Sequence, residues 1–173
     1  MSKTLILTMA FGACKYPKIC WTNRELAQET INSIIELKVA AFVERDVACE
    51  MKGARSVSMK TQGIVHAYGG NGREYLPGLR IIKAFKIWQE SNHKEMEVIL
   101  FITALPYESR CKRDLEIIFP GILIVTPSFD VEKDFWFNKN STQWWTRSKR
   151  AWKFREKLIS LLPWKVYEWL SMR

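Results

Sequence analysis

The chain has 173 residues, of which 47% are hydrophobic and 26% charged, and its formal net charge at pH 7 is +9. A chain of this length and composition can bury one sizeable core but hardly two, which favours a single domain over residues 1–173. The longest apolar runs have the length of strands, far short of the roughly 20 residues that span a bilayer, which excludes an ordinary transmembrane helix. The short apolar run after Lys3 continues into a plausible fold rather than a cleavage site, so we expect no signal peptide and a cytoplasmic location.

Apolar runs and helical periodicities alternate along the chain. In chain order they predict a strand at residues 5–11, a helix capped by Thr22 or Asn23 that ends near 37, a strand at 40–43, an irregular or weakly helical stretch at 48–59, a strand at 64–68, a helix at 74–90, a strand at 98–102, a helix ending at 118 and a strand at 121–125. Strands separated by helices are typical of βαβ units. We therefore predict a three-layer, Rossmann-like α/β fold with a mostly parallel sheet of about five strands.

The most informative junction follows the apolar run 98–102, where the chain breaks into Thr103, Tyr107 and Arg110. Ligands of open α/β sheets bind outside the carboxyl ends of the strands, which makes these three residues candidate ligand contacts. We expect Arg110 in the first turn of the following helix, where backbone N–H groups favour an anion. A surface arginine on an ordinary connection explains the pattern equally well.

Two other strand ends carry candidate contacts. Gly12 ends the first strand, and Glu44 follows the second strand, where a carboxylate can accept hydrogen bonds from ribose hydroxyls or an amine. A solvated surface charge is an equally good account of Glu44. The glycines around Asn71 resemble a phosphate-binding loop in kind, because they let backbone N–H groups approach an anion, although a plain tight turn is the more frequent reason for such a run.

Cysteine and histidine offer little catalytic chemistry. The four cysteines are Cys14, Cys20, Cys49 and Cys111, and the two histidines are His66 and His93. No CxxC pair, HExxH motif or Ser-His-Asp arrangement can be assembled from them, so we predict no metal site and assign no catalytic residue. We expect reduced thiols that pack as small hydrophobic side chains.

The positive charge is concentrated in residues 138–173, which contain nine Lys and Arg against two Glu. The same segment carries Trp144, Trp145, Trp152, Trp164 and Trp169. Basic residues interleaved with aromatic residues can bind single-stranded nucleic acid. We favour packing of this segment on the domain, because Trp145, Trp152 and Leu158 or Ile159 recur near seven-residue spacing. A third hypothesis is peripheral association of residues 161–173 with an anionic membrane.

The order of motifs resembles the YdcF/SanA/ElyC-like family of Rossmann-like domains. Asn71 and Glu74 keep the spacing of that family's Asn-Thr-x-Glu-Asn element, which opens a helix. Thr103 and Arg110 match its later Thr and His-x-x-Arg positions, with Tyr107 where the family has His. Residues 140–148 and Trp152 look like the closing segment of one branch. The family's Ser-Gly-Gly after the second strand is absent here.

The resemblance implies a site at the strand ends that binds S-adenosylmethionine or a related nucleotide-like ligand. Arg110 would pair with a carboxylate or phosphate, and Glu74 would accept from a ligand amine or hydroxyl. Arg147 would supply a second cation if it folds back over the strand ends. We therefore expect binding of an anionic nucleotide-like or S-adenosylmethionine-like small molecule, with or without a reaction that the residues do not identify. The alternative is a nucleic-acid binding module that uses residues 138–173.

Overall fold

The computed structural model describes residues 3–12, 21–53, 65–68, 77–129 and 135–171. The strands are β1 (Thr4–Thr8), β2 (Ala41–Glu44), β3 (Val65–Tyr68), β4 (Val98–Ile102) and β5 (Leu123–Val125). The helices are α1 (Trp21–Leu37), α2 (Arg45–Gly53), α3 (Gly78–Asn92), α4 (Leu105–Ile118), α5 (Lys149–Ser160) and α6 (Trp164–Ser171), and a short 3-10 turn covers Trp144–Thr146. The strands account for the five that the sequence predicts.

The five strands form one parallel sheet in the order β3-β2-β1-β4-β5. The chain runs outward from β1 to β3 and then crosses back to β4. Right-handed crossovers therefore place α1 and α2 on one face and α3 and α4 on the other, as the contacts within these pairs indicate. The central strands are apolar because both of their faces are covered, and Ile6, Leu7, Ile99 and Phe101 are fully buried. The predicted three-layer α/β fold is confirmed.

Several boundaries differ from the predictions by a few residues, and three of the differences have a visible physical reason or consequence. The stretch predicted as irregular or weakly helical at residues 48–59 is helical up to the end of α2, and the rest lies outside the described residues. Asp46 in the first turn of α2 complements the helix dipole, and Val47 and Met51 face the core. Helix α3 starts after Pro77, whose ψ of 140° is not helical, instead of enclosing it. Strand β1 ends at Thr8, three residues before the predicted end.

Thr22 or Asn23 is predicted to cap α1, but this helix begins at Trp21, so both residues lie inside its first turn, and their side chains bind the backbone after β1. The Asn23 side chain accepts a hydrogen bond from Phe11 N at 3.1 Å and donates one to Gly12 O at 3.0 Å. Thr22 Oγ1 donates to Phe11 O at 3.2 Å. These backbone groups have left the sheet and need other partners, which the first turn of α1 provides.

The C-terminal segment packs on the body of the domain through Trp152 and Tyr167. Trp152 is buried, and its Nε1 donates to Pro106 O at 3.0 Å. Tyr167 of α6 is also buried and donates a hydrogen bond to Asp114 of α4 at 2.6 Å. The seven-residue spacing predicts that either Leu158 or Ile159 packs inward after Trp152. Ile159 is half-buried and Leu158 is exposed, so Ile159 is the residue that lies closer to the domain.

Cysteine placement is mixed. Cys111 is buried in α4, and burial raises the pKa of its thiol to about 12, which keeps it protonated. Cys49 is exposed, so the prediction of a packed thiol is wrong there. Cys14 and Cys20 lie outside the described residues. Within the described ranges, no helix is long and apolar enough to cross a bilayer.

Candidate functional site

A small pocket lies at the carboxyl edge of the sheet, beside the ends of β1 and β2. It is lined by Ala10, Phe11, Gly12, Glu44, Tyr107, Gln143, Trp145, Thr146 and Trp152. The strand order reverses direction between β1 and β4, and such switch points are where open α/β sheets bind ligands. The cavity volume is about 10 Å³, close to the minimum that holds one water molecule.

Glu44 is the acidic group of this pocket. It is the last residue of β2, and its Oε2 accepts a hydrogen bond from Ala10 N at 2.7 Å. Burial raises the pKa of the Glu44 carboxyl to about 8, the bond from Ala10 N opposes the rise, and the nearby Asp46 charge adds to it. A carboxyl with this pKa changes its charge near neutral pH and can accept a hydrogen bond or exchange a proton there.

Gly12 lets the segment before α5 approach the end of β1. Its φ of +80° lies in the left-handed region, and a Cβ at this position would lie 2.9 Å from both Ser141 Oγ and Thr146 Oγ1. These two hydroxyls hydrogen-bond each other at 2.7 Å. Gly12 thus allows residues 141–146 to close over the strand end.

We expect Gly12→Ala to lower the free energy of unfolding by more than the roughly 1–2 kcal/mol that a left-handed Ala costs, because its Cβ also meets two hydroxyls. Gly121→Ala is the matched control, since Gly121 has φ +82° and no atom within 4 Å of the added Cβ. Urea unfolding of both variants measures the difference. Equal losses of unfolding free energy in the two variants would show that the close approach of Ser141 and Thr146 to Gly12 adds nothing to the cost of the substitution.

Tyr107, which the sequence predicts as a ligand contact, forms an aromatic wall of the pocket. Its ring centroid lies 6.3 Å from that of Phe11 and 5.6 Å from that of Trp152. The Tyr107 hydroxyl is packed against Gly78 at the start of α3, where a Cβ would lie 2.3 Å from the hydroxyl oxygen. Sequence reasoning missed Gly78, although a glycine directly after Pro77 at a helix start was a signal.

Thr103 is buried at the end of β4 and is not part of the pocket lining. Its hydroxyl donates a long hydrogen bond of 3.4 Å to Met9 O. This contact joins the chain ends that leave β1 and β4. The structure therefore gives Thr103 a structural contact beside the site.

Arg110 lies behind the aromatic wall, which corrects its predicted position in the first helical turn. Helix α4 begins at Leu105, so Arg110 falls in the second turn, away from the N–H groups at the helix start. Its guanidinium carbon lies 4.6 Å from the Tyr107 ring centroid and 5.9 Å from that of Trp152. Its Nε lies 3.4 Å from Glu156 Oε2, and the residue is only 8% exposed. It is thus neither a surface arginine nor a lining residue of the pocket.

Arg147 is exposed and stabilises the pocket indirectly. Its Nε donates to Ser141 O at 2.7 Å, which holds the segment that covers Gly12. It does not line the pocket, so the expected second cation is not found there. Asn71 and Glu74, the remaining predicted contacts, lie outside the described residues.

Three of the eight predicted contacts, Gly12, Glu44 and Tyr107, meet at the pocket. Gln143, Trp145, Thr146 and Trp152 join them; the sequence placed these four in the segment that resembles the family's closing segment, but none of them was predicted to line this pocket. The described lining contains one carboxyl and no lysine or arginine. A ligand with hydroxyl groups or a positive charge is better suited to a pocket lined by a carboxyl and aromatic rings than a ligand with a phosphate group. In the described part of the chain, no group of three or more His, Cys, Asp and Glu side chains is placed to hold a metal ion.

Comparisons of the chain with protein-family models, with curated proteins and with solved structures found no match.

Proposed function

We propose that this protein binds a nucleotide-like small molecule of the S-adenosylmethionine type at the carboxyl edge of its sheet. The observation that carries the proposal is the Glu44 carboxyl at the end of β2, within a pocket at the switch point between β1 and β4. In dinucleotide-binding folds, an acidic residue in this part of the sheet accepts hydrogen bonds from ribose hydroxyls. The resemblance to the YdcF/SanA/ElyC-like family supports the same ligand class.

The lining favours a nucleoside that carries a positive centre over a nucleoside phosphate. Glu44 supplies negative charge when ionised, and the Tyr107, Trp145 and Trp152 rings can stack on a base or face a cation. Arg110, the cation expected to meet an anionic group, lies behind the rings and is paired with Glu156. S-adenosylmethionine, with its ribose and sulfonium, fits this set of groups better than ADP.

The ligand must open the pocket before it binds, because the cavity is the size of one water molecule. The covering residues Gln143 and Trp145 are half-buried, and they lie in the segment that Ser141 and Arg147 hold together. Displacement of this segment uncovers Gly12 and Glu44 to a ligand. In this proposal binding is therefore coupled to a movement of residues 141–147.

The test is isothermal titration of the full chain with S-adenosylmethionine, its demethylated product, adenosine and ADP, in the wild type and in Glu44→Gln. We expect S-adenosylmethionine to bind the wild type most tightly. Below its pKa of about 8, the Glu44 carboxyl must lose a proton before it can contact the positively charged ligand. The ratio of wild-type affinity to Glu44→Gln affinity should therefore rise with pH, by up to tenfold per pH unit. The ligand's own titration cancels in this ratio.

Glu36→Gln, which removes an exposed carboxylate at the end of α1, is the matched control and should bind like the wild type. Equal affinity of Glu44→Gln and wild type at pH 8 would exclude Glu44 as a contact. Tighter binding of ADP than of S-adenosylmethionine would contradict the preference for a positive centre.

Nucleic-acid binding by residues 138–173 is the weaker candidate. Of the five tryptophans proposed as a stacking platform, Trp152 is buried and Trp145 and Trp164 are half-buried. Trp144 and Trp169 alone among these five are exposed, which leaves two of the five rings open to stack on bases.

A further inference from the structure

Helices α5 and α6 present an outer surface that combines cations with large apolar side chains. On α5, Phe154 and Leu158 lie one turn apart, and Leu161 follows in the turn that joins the helices. All three are exposed, and Leu161 is 72% exposed. On α6, the exposed apolar residues are Val166, Trp169 and Leu170. We call these six residues, with the exposed lysines and arginines of residues 147–165, the basic apolar surface.

The charges of this surface have one sign. Its exposed charged residues are Arg147, Lys149, Arg150, Lys153, Lys157 and Lys165. The acidic residues of the two helices, Glu156 and Glu168, are half-buried and form ion pairs with Arg110 and Lys83, respectively. The carboxylates of the two helices therefore pair toward the body of the domain, and the exposed charges that α5, α6 and the residues before them present are all positive.

Surface helices of globular domains normally turn their apolar side inward and their charged side outward. Here α5 and α6 bury Trp152 and Tyr167 and yet expose further large apolar side chains between lysines. Several large apolar side chains exposed beside cations on neighbouring segments are unusual for a domain surface and are typical of interaction sites. Leucine, phenylalanine and tryptophan beside lysines are the composition of helices that lie in the interface of an anionic bilayer.

We propose that the basic apolar surface binds the anionic surface of a lipid bilayer, with Phe154, Leu158 and Leu161 inserted at the headgroup level. Lysines supply attraction to acidic headgroups, and the apolar side chains supply burial. Nucleic acid fits this surface less well, because Leu158, Leu161 and Leu170 offer nothing to phosphates or stacked bases. None of the six apolar residues of this surface lines the pocket of Glu44.

The first experiment is co-flotation of the full chain with vesicles of phosphatidylglycerol and phosphatidylcholine, compared with pure phosphatidylcholine. We expect binding to the anionic vesicles alone, and weaker binding as salt is raised. Lys153→Gln with Lys157→Gln should weaken binding roughly fivefold for each lysine removed. Arg24→Gln with Lys94→Gln removes two exposed cations elsewhere and should change binding little.

Insertion of the apolar side chains into the bilayer is tested with a second pair of double variants. Leu158→Ser with Leu161→Ser should weaken binding to anionic vesicles, whereas Ile35→Ser with Ile87→Ser should not, although Ile35 and Ile87 are 49% and 67% exposed. Vesicles with brominated acyl chains should quench tryptophan fluorescence of the wild type, and Trp169→Phe should reduce that quenching. Because quenching is measured on the wild-type protein, this result does not depend on whether the variants with substitutions in α5 fold.

Absence of flotation with anionic vesicles at low salt, or flotation without any quenching, would overturn the proposal. Tight binding of a single-stranded oligonucleotide that the two leucine substitutions leave unchanged, without vesicle binding, would assign the surface to nucleic acid instead. Equal binding of wild type and Leu158→Ser with Leu161→Ser to vesicles would overturn the insertion of these leucines.

Discussion

Replacing Trp152 by Ala should lower the free energy of unfolding by about 3–5 kcal/mol, the usual cost of removing a large buried aromatic side chain. Trp152 is 6% exposed, and its ring centroid lies 4.9 Å from that of Phe11. The substitution also leaves Pro106 O without its 3.0 Å donor. Urea denaturation followed by circular dichroism measures the loss.

Trp144→Ala is the matched control, because Trp144 is 51% exposed and belongs to the same segment. We expect a loss of less than about 1 kcal/mol from it, as for ordinary surface substitutions. A similarly small loss from Trp152→Ala would show that α5 is not needed for the stability of the core. It would also restore the hypothesis that the tryptophans of residues 138–173 serve as a binding platform.

The second large effect is a pH dependence that Glu44 controls. The pKa of the Glu44 carboxyl is raised from 4.5 to about 8 in the folded protein, mainly by burial. Between these values the folded state binds more protons than the unfolded state, so the contribution of Glu44 to the free energy of unfolding falls as pH rises. The fall is at most about 1.4 kcal/mol per pH unit, and it ends once Glu44 is ionised in both states above about pH 8.

Glu44→Gln tests this dependence, since Gln stays neutral and can still accept the hydrogen bond from Ala10 N. Relative to the wild type, this variant should become more stable as pH rises from 5 to 8, in urea denaturation at each pH. Glu36→Gln, on the exposed end of α1, should keep the wild-type pH profile. If the wild type and Glu44→Gln have parallel profiles, Glu44 ionises in the folded state at an ordinary pKa.

The fold was predictable because its signals are local. The run 98–102 is one uninterrupted apolar segment, and its predicted bounds are those of β4. Alternation of such runs with helical periodicities is enough to indicate a parallel α/β sheet. Boundaries were less certain where tertiary contacts decide, as at Thr22 and Asn23, whose side chains bind the chain after β1.

The candidate site was predictable only in part. Glu44 ends β2 and Tyr107 follows β4, and parallel strands bring their carboxyl ends to one edge, so the order of the chain brings both residues to the pocket. The position of Arg110 relative to the pocket could not be predicted from the sequence. A shift of one turn along α4 is enough to move a side chain from the strand ends to the contact with Glu156 of α5, and the sequence does not define the start of the helix that closely. Gln143 and Thr146 join the pocket through long-range packing of the chain after β5, which no local pattern encodes.

The sequence by itself determined the fold class, the single sign of the charge in residues 138–173 and which strand ends carry polar groups, because these depend on residue type and on periodicity along the chain. Tertiary structure alone decided that Trp152 is core while Phe154 and Leu158 are exposed, although all three are large apolar residues of one helix. It also decided that Glu44 is half-buried at the strand end, where burial raises the pKa of its carboxyl to about 8. The physical reason is that burial and pKa depend on which distant segments pack against a residue, and that packing is not encoded in its neighbours along the chain.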